Sequence, residues 1–286
     1  VKVKELISAI FSVEEAIKAY AFLESREKSL ALLLKYDYEK YIKKPLTERK
    51  VLIPAQQKKI EGKIGVGIIG AGSFVQSVHL PNLNNLGEYY HLRAVVTQHG
   101  EKAKFLCQQY RMDYATTDYI EVLRDPETDL AFIGTRHNLH YPMVIEALKN
   151  GKAVFVEKPL CLTPEELENI KEEVAKRKIP VIVGFNRRYA PFIVAIKQIL
   201  ERLSRPYFIQ YRVNAGFIPK DSWIQDPVIG GGRIIGEACH FFDLLNFLVG
   251  KSAEIRDISV SSIPVDGKNI IAQDNFVVSV RYSDGS

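Results

Sequence analysis

From Ile64 onward, short apolar runs alternate with amphipathic stretches that have helical spacing. The apolar runs occupy residues 64–69, 92–97, 130–134, 153–156 and 180–184, and the clearest helical patterns occupy residues 142–150 and 164–178. Strands of a parallel sheet read as continuous apolar runs because helices cover both faces of the sheet. The alternation therefore predicts an α/β Rossmann domain with a doubly wound parallel sheet over residues 64–189.

After Ala190 the order of elements changes. A helix, a long strand at 207–215, a helix at 233–249 and strands at 255–262 and 275–282 follow one another. This order predicts an α+β domain with a mostly antiparallel sheet over residues 190–286. Residues 282–286 read as a hairpin turn without its return strand, and the chain starts with Val1, so we expect a truncated second domain. An open sheet edge recruits other chains, which predicts a homodimer or higher oligomer through this sheet.

Charge and cysteine content exclude several classes of protein. The net charge is +5, and residues 1–63 alone carry 14 Lys and Arg against 9 Asp and Glu. No aromatic and basic recognition motif accompanies these lysines, so we expect no nucleic-acid partner. The 3 cysteines form no C-x-x-C pair, which predicts no metal site and a reducing, cytoplasmic location. No apolar run reaches the roughly 18 residues that a membrane span needs.

A glycine-rich turn follows the first apolar run. Gly70 and Gly72 lie between that run and a helix, with Ser73 and Phe74 at the start of the helix. In this position glycines let the backbone approach a pyrophosphate at a helix N-terminus. Val75 replaces the third glycine of the usual fingerprint, so we expect a slightly wider spacing between helix and strand. These residues predict a dinucleotide site.

The choice between NAD and NADP stays open in the sequence. A carboxylate that binds the adenosine ribose of NAD is expected at the end of the second strand, where Thr97, Gln98 and His99 stand instead. No arginine replaces it to hold the 2′-phosphate of NADP. We therefore expect NAD or NADP, with Thr97 among the cofactor contacts.

Two later turns carry polar side chains to the same edge of the sheet. The first holds Thr135, Arg136, His137 and His140, and the second holds Glu157 and Lys158 before Pro159. Ligands of doubly wound sheets bind at the carboxyl edge of the strands. We therefore predict that these side chains join the cofactor site.

Together these motifs resemble the glucose-fructose oxidoreductase, inositol dehydrogenase and rhizopine catabolism (Gfo/Idh/MocA) family. The resemblance covers Ile64 to the end of the chain. Its marks, in the family's order, are Gly70-Ala-Gly72, Thr135 with His140, Glu157-Lys-Pro159, Gly184-Phe-Asn-Arg-Arg-Tyr189, and Gly230-Gly-Gly232 leading to His240 and Asp243. It implies an NAD(P)-dependent oxidoreductase that acts on CH–OH groups.

The same resemblance implies a catalytic set with one departure. The family's lysine is Lys158 and its histidine is His240, whereas Gly236 stands where the family has an aspartate. Glu237 is a neighbour of His240 on a helix, so it is a candidate to orient His240 or join the proton relay. Read without the family, His240 fits a hydrogen-bonded core residue, and Glu237 fits a solvated or capping residue.

The substrate is expected to be a sugar, a sugar acid or a nucleotide sugar. Arg187, Arg188, Trp223 and Asp243 are the candidate substrate contacts, because arginine suits carboxylate and phosphate groups. Each could equally be a surface or ion-pair residue. The alternative function is a non-catalytic dinucleotide-binding regulator or interaction module on the same fold.

The first 63 residues have a separate resemblance. Residues 1–37 resemble the C-terminal end of zinc-type, medium-chain alcohol dehydrogenases, with Phe11-Ser-Val-Glu-Glu-Ala-Ile-Lys-Ala-Tyr20 before an apolar strand. A helix and strand that merely pack on the main body are equally consistent. Residues 38–63 read as a linker. With the family motifs, this tail resembles the second half of bi-domain oxidoreductases and implies an adjoining dehydrogenase module.

Overall fold

The protein is described by a computed structural model that covers residues 6–24, 30–37, 50–52, 62–250, 253–262 and 275–286. Contacts divide the chain into two compact units, Val1–Arg49 and Lys50–Ser286. Within the described residues, no helix is both long enough and apolar enough to cross a membrane.

The first unit is a parallel strand–helix–strand arrangement. Strand β1 (Ile7–Ser12) leads through a 3₁₀ turn (Val13–Glu15) into the helix Ala16–Glu24, and strand β2 (Ala31–Lys35) returns parallel to β1. The helix and the second strand agree with the sequence prediction. The strand β1 was not predicted, although parallel strands need a crossover and the helix supplies it.

The second unit contains a sheet of 7 strands in the order β3-β6-β5-β4-β7-β8-β9. The strands are β3 (Lys50–Leu52), β4 (Ile64–Ile69), β5 (Tyr90–Val96), β6 (Tyr114–Thr116), β7 (Leu130–Ile133), β8 (Ala153–Val156) and β9 (Val181–Val183). All neighbouring strands from β4 to β9 are parallel. The chain leaves β4 first toward β5 and later toward β7, so the carboxyl end of β4 is the switch point. The predicted doubly wound sheet is confirmed.

Helices cover both faces of this sheet. They are Leu80–Asn85, Gly100–Gln109, Tyr119–Arg124, His140–Lys149 and Pro164–Arg177. One face buries Val144, Leu148 and Ile170 against the strands, and the other buries Leu80, Leu106 and Met112. The helix Pro164–Arg177 begins with a capping box between Thr163 and Glu166, which satisfies free amides of its first turn.

One part of the expected linker belongs to the sheet. Strand β3 pairs antiparallel with β6, in the register Lys50 to Thr116 and Leu52 to Tyr114. The prediction of a linker is therefore wrong for these three residues, because the free edge of β6 offers unpaired backbone groups that a short strand satisfies. The rest of the expected linker up to residue 61 lies outside the described residues.

The second domain contains helices and a two-stranded antiparallel sheet. Its helical elements are Pro191–Leu200, the π-helical segment Ile234–Ala238 and the helix Cys239–Val249. Strands β10 (Ile255–Ser262) and β11 (Phe276–Tyr282) pair antiparallel. The fold class is therefore as predicted, and the expected single helix over 233–249 contains a π-helical turn.

The long strand expected at residues 207–215 is wrong. These residues form no regular element, and the described strands β10 and β11 pair with each other. Apolar and β-branched residues favour a strand only where a partner satisfies the backbone. Phe208 of this segment is 95% exposed, so its apolar pattern does not reflect burial.

Candidate active site

The turn after β4 is constrained by the protein itself at Gly70. Gly70 has φ +84°, and a β-carbon there would lie 2.5 Å from Cγ2 of Thr135. At Gly72 a β-carbon would meet no atom closer than the carbonyl oxygen of Gly134, at 4.0 Å. Gly70 is therefore required for packing, whereas Gly72 keeps a space free beside the turn.

Val75, in the place of the third glycine, is accommodated by a glycine on the facing turn. A β-carbon on Gly134 would lie 2.4 Å from Cγ2 of Val75. The valine side chain is buried at 2% exposure. The helix therefore packs closely on the sheet because Val75 on the helix faces Gly134, the glycine that follows β7.

This turn fits the phosphates of a dinucleotide. The helical run begins at Ser73, so the first amides of the helix have no partners within it. The open side of Gly72 lets a ligand approach the backbone, and the positive end of the helix favours an anion. Ser73 and Phe74 are exposed at this end, as predicted contacts need to be.

Thr97 directly follows β5, the strand next to β4, at the same edge of the sheet. Its hydroxyl donates a hydrogen bond of 2.6 Å to the carbonyl oxygen of His99. Thr97 is 8% exposed, so the side chain shapes the turn instead of projecting from it. Gln98 and His99 are exposed beside it.

Glu157 follows β8 and is paired with a residue that the sequence did not point to. Oε1 of Glu157 lies 2.6 Å from Nε2 of His79, and both side chains are mostly buried. The His79 ring contacts Phe74, Phe132 and Phe155 with centroid distances of 5.0, 4.8 and 5.7 Å. The Glu157 carboxylate is therefore fixed within the protein.

Lys158 reaches from the sheet to the helical region of the second domain. Its Nζ donates a 2.8 Å hydrogen bond to the carbonyl oxygen of Gly236 and lies 3.8 Å from Oε1 of Glu237. The π-helical segment that includes Gly236 leads directly into the helix that carries His240. The predicted catalytic residues Lys158, Glu237 and His240 thus lie in one region.

His240 is held in its neutral form. It is 9% exposed, and its buried Nδ1 has no hydrogen-bond partner among the described residues. Burial lowers the pKa of His240 to about 4, with further lowering by the charges of Lys158 and Arg187. A neutral imidazole at neutral pH is able to accept a proton.

His137, Arg136 and Trp223 form one contact between the two domains. Nδ1 of His137 is 2.8 Å from the Gly230 carbonyl oxygen, and the ring packs edge-on against Trp223 at 4.9 Å. The guanidinium of Arg136 lies 5.6 Å from the same indole ring. Burial lowers the pKa of His137 to about 4. Trp223, predicted as a substrate contact, is therefore packed against the turn after β7 that carries Arg136 and His137.

His140 lies beneath the site rather than in it. It is fully buried, with Nδ1 2.7 Å from the Pro159 carbonyl oxygen and Nε2 3.2 Å from that of Thr135. Burial lowers its pKa. The geometry does not support the predicted cofactor contact, because the ring is fully buried and its two nitrogens face carbonyl oxygens of the turns that carry Thr135 and Lys158.

The four predicted substrate residues fall into different environments. Arg188 makes a two-pronged ion pair with the buried Asp243, through Nε at 2.6 Å and through Nη2. These two side chains satisfy each other, so they join the Gly184–Tyr189 turn to the His240 helix instead of facing a ligand. Arg187 is exposed and its guanidinium lies 4.9 Å from the Phe241 ring.

Within the described residues, no group of three or more His, Cys, Asp or Glu side chains could hold a metal ion. Neither His79 nor the role of Gly134 was predicted from the sequence. His79 stands four residues after the buried Val75, and residues at this spacing share one helix face. That spacing was the signal that could have indicated a buried histidine.

Comparison with known proteins connects this geometry to a family. Residues 64–185 match the model of the Gfo/Idh/MocA oxidoreductase family with an NAD-binding Rossmann fold. Residues 195–286 match that family's C-terminal alpha/beta domain. The two matches together cover more than half of the chain.

The chain belongs to the Gfo/Idh/MocA oxidoreductase family. This membership confirms the predicted family, an oxidoreductase family whose first domain is an NAD-binding Rossmann fold. Nothing in the comparisons supports the additional resemblance of residues 1–37 to a zinc-type alcohol dehydrogenase.

Two similar proteins are named as inositol dehydrogenases. The chain is 25% identical to myo-inositol 2-dehydrogenase of Thermotoga maritima over 225 residues, which is 77% of this chain and 66% of that protein. It is 31% identical to scyllo-inositol 2-dehydrogenase (NAD(+)) of Bacillus subtilis over 192 residues, which is 62% of this chain and 54% of that protein. The chain thus spans about half to two thirds of the length of the curated relatives it matches.

A solved structure shares the fold. Levoglucosan dehydrogenase, in a complex with NADH and levoglucosan, superposes with a TM-score of 0.67 at 22% identity. The match covers 78% of this chain and 65% of that one.

Proposed function

We propose that this protein is an NAD(P)-dependent oxidoreductase that transfers a hydride between nicotinamide and a secondary alcohol carbon of a sugar, sugar acid or nucleotide sugar. The observation that carries the proposal is the hydrogen bond from Lys158 to Gly236. It joins the turn after β8 to the helical region that carries His240. An ammonium and a neutral imidazole are thereby brought into one region at the carboxyl edge of the sheet.

The dinucleotide, when bound, accepts or supplies the hydride at C4 of its nicotinamide ring. Gly70, Gly72 and Ser73 would hold its phosphates, with Phe74, Thr97 and the Thr135 turn as further walls of the site. His240 takes the hydroxyl proton of the alcohol, since its pKa of about 4 keeps the imidazole neutral. Lys158 stabilises the negative charge that develops on the alcohol oxygen.

Glu237 supplies the countercharge to Lys158. Its carboxylate lies 3.8 Å from Nζ and also raises the pKa of His240, against the lowering by burial. In this role Glu237 offsets the absence of an acidic side chain at Gly236. Removal of its charge would leave two cationic groups, Lys158 and Arg187, around His240.

An anionic group on the substrate is supported by Arg187. Its charge acts on His240, and none of the described carboxylates forms an ion pair with it. Arginine binds carboxylate and phosphate groups with its fork of donors. We therefore favour a sugar acid or nucleotide sugar over a neutral polyol. Two relatives are named for inositols, which are neutral, so a neutral polyol is the competing substrate class.

The enzyme assay uses two dinucleotides and three substrate groups. NADH and NADPH binding is measured by nicotinamide fluorescence, and reduction of NAD and NADP is then followed with polyols, sugar acids and sugar nucleotides. Lys158→Met and His240→Gln should each lower turnover by about 10² to 10⁴-fold, the usual share of acid–base catalysis. Their dinucleotide affinity should stay within a few-fold of the wild-type value.

A matched control separates substrate binding from chemistry. Arg187→Gln should raise KM for a sugar acid and leave KM for a neutral polyol unchanged. Dinucleotide binding without turnover on any substrate would favour the alternative, a non-catalytic regulator or interaction module. Wild-type turnover in His240→Gln would return His240 to the role of a core histidine.

The organisation of the chain is part of the same proposal. Residues 64–189 would form the cofactor domain and 190–286 the substrate domain, which we expect to form a homodimer or higher oligomer through its sheet. The parallel β1–helix–β2 unit is compatible with a dehydrogenase-like tail and an adjoining module. The cytoplasmic location rests on three cysteines that are free thiols.

A further inference from the structure

Two consecutive residues of the site, Glu157 and Lys158, are each held by a π-helical segment. The first segment, Val75–His79, ends at the histidine that contacts Glu157. The second, Ile234–Ala238, contains the carbonyl that accepts from Lys158. Single π-helical turns inside α-helices occur frequently at functional sites. Here both described π-helical segments contact the same turn.

The contact with His79 determines how the Glu157 carboxylate is bound. An ionised carboxylate only accepts hydrogen bonds, so Nε2 of His79 must carry the proton in the 2.6 Å contact. The side chains of His79 and Glu157 are only 16% and 14% exposed. A buried carboxylate is costly unless it is hydrogen-bonded. His79 therefore makes the buried position of Glu157 tolerable.

The surroundings leave Glu157 little freedom to move. A β-carbon on Gly184 would lie 2.9 Å from Oε1 of Glu157, so the next strand end closes one side. The aromatic rings of Phe74, Phe132 and Phe155 surround His79 on the other. The backbone amide of Glu157 donates a hydrogen bond of 2.9 Å to the Ile133 carbonyl oxygen. Side chain and backbone of Glu157 are thus both fixed.

The charge of Glu157 reaches the reacting groups. It raises the pKa of His240 and of His140, opposing the lowering by burial in each case. Glu157 also directly precedes Lys158 in the chain. Any shift of its carboxylate would change the electric field at His240 and tilt the turn that presents the Lys158 ammonium.

We propose that His79 is a positioning residue, which fixes the Glu157 carboxylate and through it the orientation of Lys158 in the active site. His79 has no contact with the reacting atoms in this proposal. It rests on the proposed function for the turnover readout, but not for the chemical readout described below.

The experiment compares two replacements of His79. His79→Phe keeps the aromatic packing and removes the hydrogen bond, whereas His79→Gln keeps an N–H donor. His79→Phe should lower kcat by about 10²-fold, the usual effect of misplacing a catalytic group by about 1 Å. The kcat of His79→Gln should be at least tenfold higher than that of His79→Phe. The dissociation constant of NADH should change less than fivefold in both.

A second background tests whether His79 acts through Glu157. Glu157→Ala removes the carboxylate, so adding His79→Phe to it should produce no further loss of turnover. A further loss of about 10²-fold in the double variant would show an independent role and overturn the proposal. Equal turnover in wild type and His79→Phe would overturn it as well.

A chemical readout keeps the test independent of turnover. The rate at which an amine-reactive reagent labels Lys158, measured by peptide mass spectrometry, should rise several-fold in His79→Phe and stay near the wild-type rate in His79→Gln. If no substrate turns over, this result alone decides the positioning role, while the proposed function fails separately. Unchanged labelling in His79→Phe would refute the proposal. If His79→Phe does not fold, Glu157→Ala should show the same increase in labelling.

Discussion

The ring of His137 occupies the space that a side chain at Gly236 would need. A β-carbon on Gly236 would lie 2.9 Å from Cε1 and 3.2 Å from Nδ1 of His137. The same histidine is held by the Gly230 carbonyl oxygen and by Trp223, so it has little room to move. The missing acidic residue at position 236 is therefore coupled to the histidine on the opposite turn.

This coupling gives a first prediction, on stability. Gly236→Ala should lower the free energy of unfolding by about 1 to 3 kcal/mol, as overpacking of a close-packed interior usually does. In a His137→Ala background the same change should cost less, because the Gly230 carbonyl oxygen, at 3.3 Å, is then the nearest remaining neighbour. Urea unfolding of the four proteins measures the coupling. Equal costs in both backgrounds would mean that His137 moves aside without penalty.

The two glycines of the turn after β4 should respond differently to alanine. Gly70→Ala places a β-carbon 2.5 Å from Thr135 at a φ of +84°, so it should destabilise the fold. The β-carbon of Gly72→Ala would meet only the Gly134 carbonyl oxygen, at an ordinary contact distance of 4.0 Å, so it should leave the melting temperature unchanged. Because its β-carbon would fill the side where phosphate approaches, Gly72→Ala should weaken NADH binding by at least tenfold. Fluorescence titration measures the affinity and thermal unfolding measures the stability. Full NADH affinity in Gly72→Ala would show that the phosphates do not bind at this turn.

Discrimination between the two dinucleotides should be modest. The end of β5 offers the hydroxyl of Thr97, which is turned to His99, and no carboxylate. The affinities for NADH and NADPH should therefore differ by less than about 10³-fold, which corresponds to roughly 4 kcal/mol. Gln98→Asp should favour NADH by at least tenfold, because a carboxylate binds ribose hydroxyls and repels a 2′-phosphate. A larger ratio in the wild type would indicate a specificity contact from another loop.

Two neutral, buried histidines make stability depend on pH. The pKa values of His137 and His240 fall from 6.5 to about 4 on folding. Between these values the unfolded chain binds more protons, so the free energy of unfolding should rise with pH from 4 to 6.5 and level off above. Each histidine contributes at most about 3 kcal/mol. His137→Gln should show a smaller rise in urea unfolding at pH 4.5, 5.5 and 6.5; an identical slope would exclude His137 as a source.

The parts of the fold that follow from continuous apolar runs were predictable. Strand Ile64–Ile69 is buried on both faces after its first residue, and Ala153–Val156 is buried or half-buried throughout, so their continuous apolar composition identifies them. Residues 207–215 are also rich in aromatic and β-branched residues but have no partner strand, and composition cannot report a missing partner. Lys50–Leu52 is too short to have a pattern of its own, and it is defined by the edge of β6.

The candidate site was predictable where one turn acts alone. Gly70 and Lys158 stand at strand ends, and position along a parallel sheet is enough to bring such residues together. Side-chain orientation depends on partners that are distant in sequence. Arg188 and Asp243 are 55 residues apart and satisfy each other, and His79 and Glu157 are 78 residues apart. Neither pairing leaves a periodic signal in the chain.

The seven-stranded sheet ends in very short strands on both sides. Strand β3 has 3 residues, as does β9 at the other edge. A second chain that added itself to either edge could form only a few backbone hydrogen bonds, although the strands between them are strongly apolar. The short edge strands therefore disfavour the addition of a strand from another chain. The cofactor domain can keep an aggregation-prone sequence in its centre and still resist polymerising through its sheet.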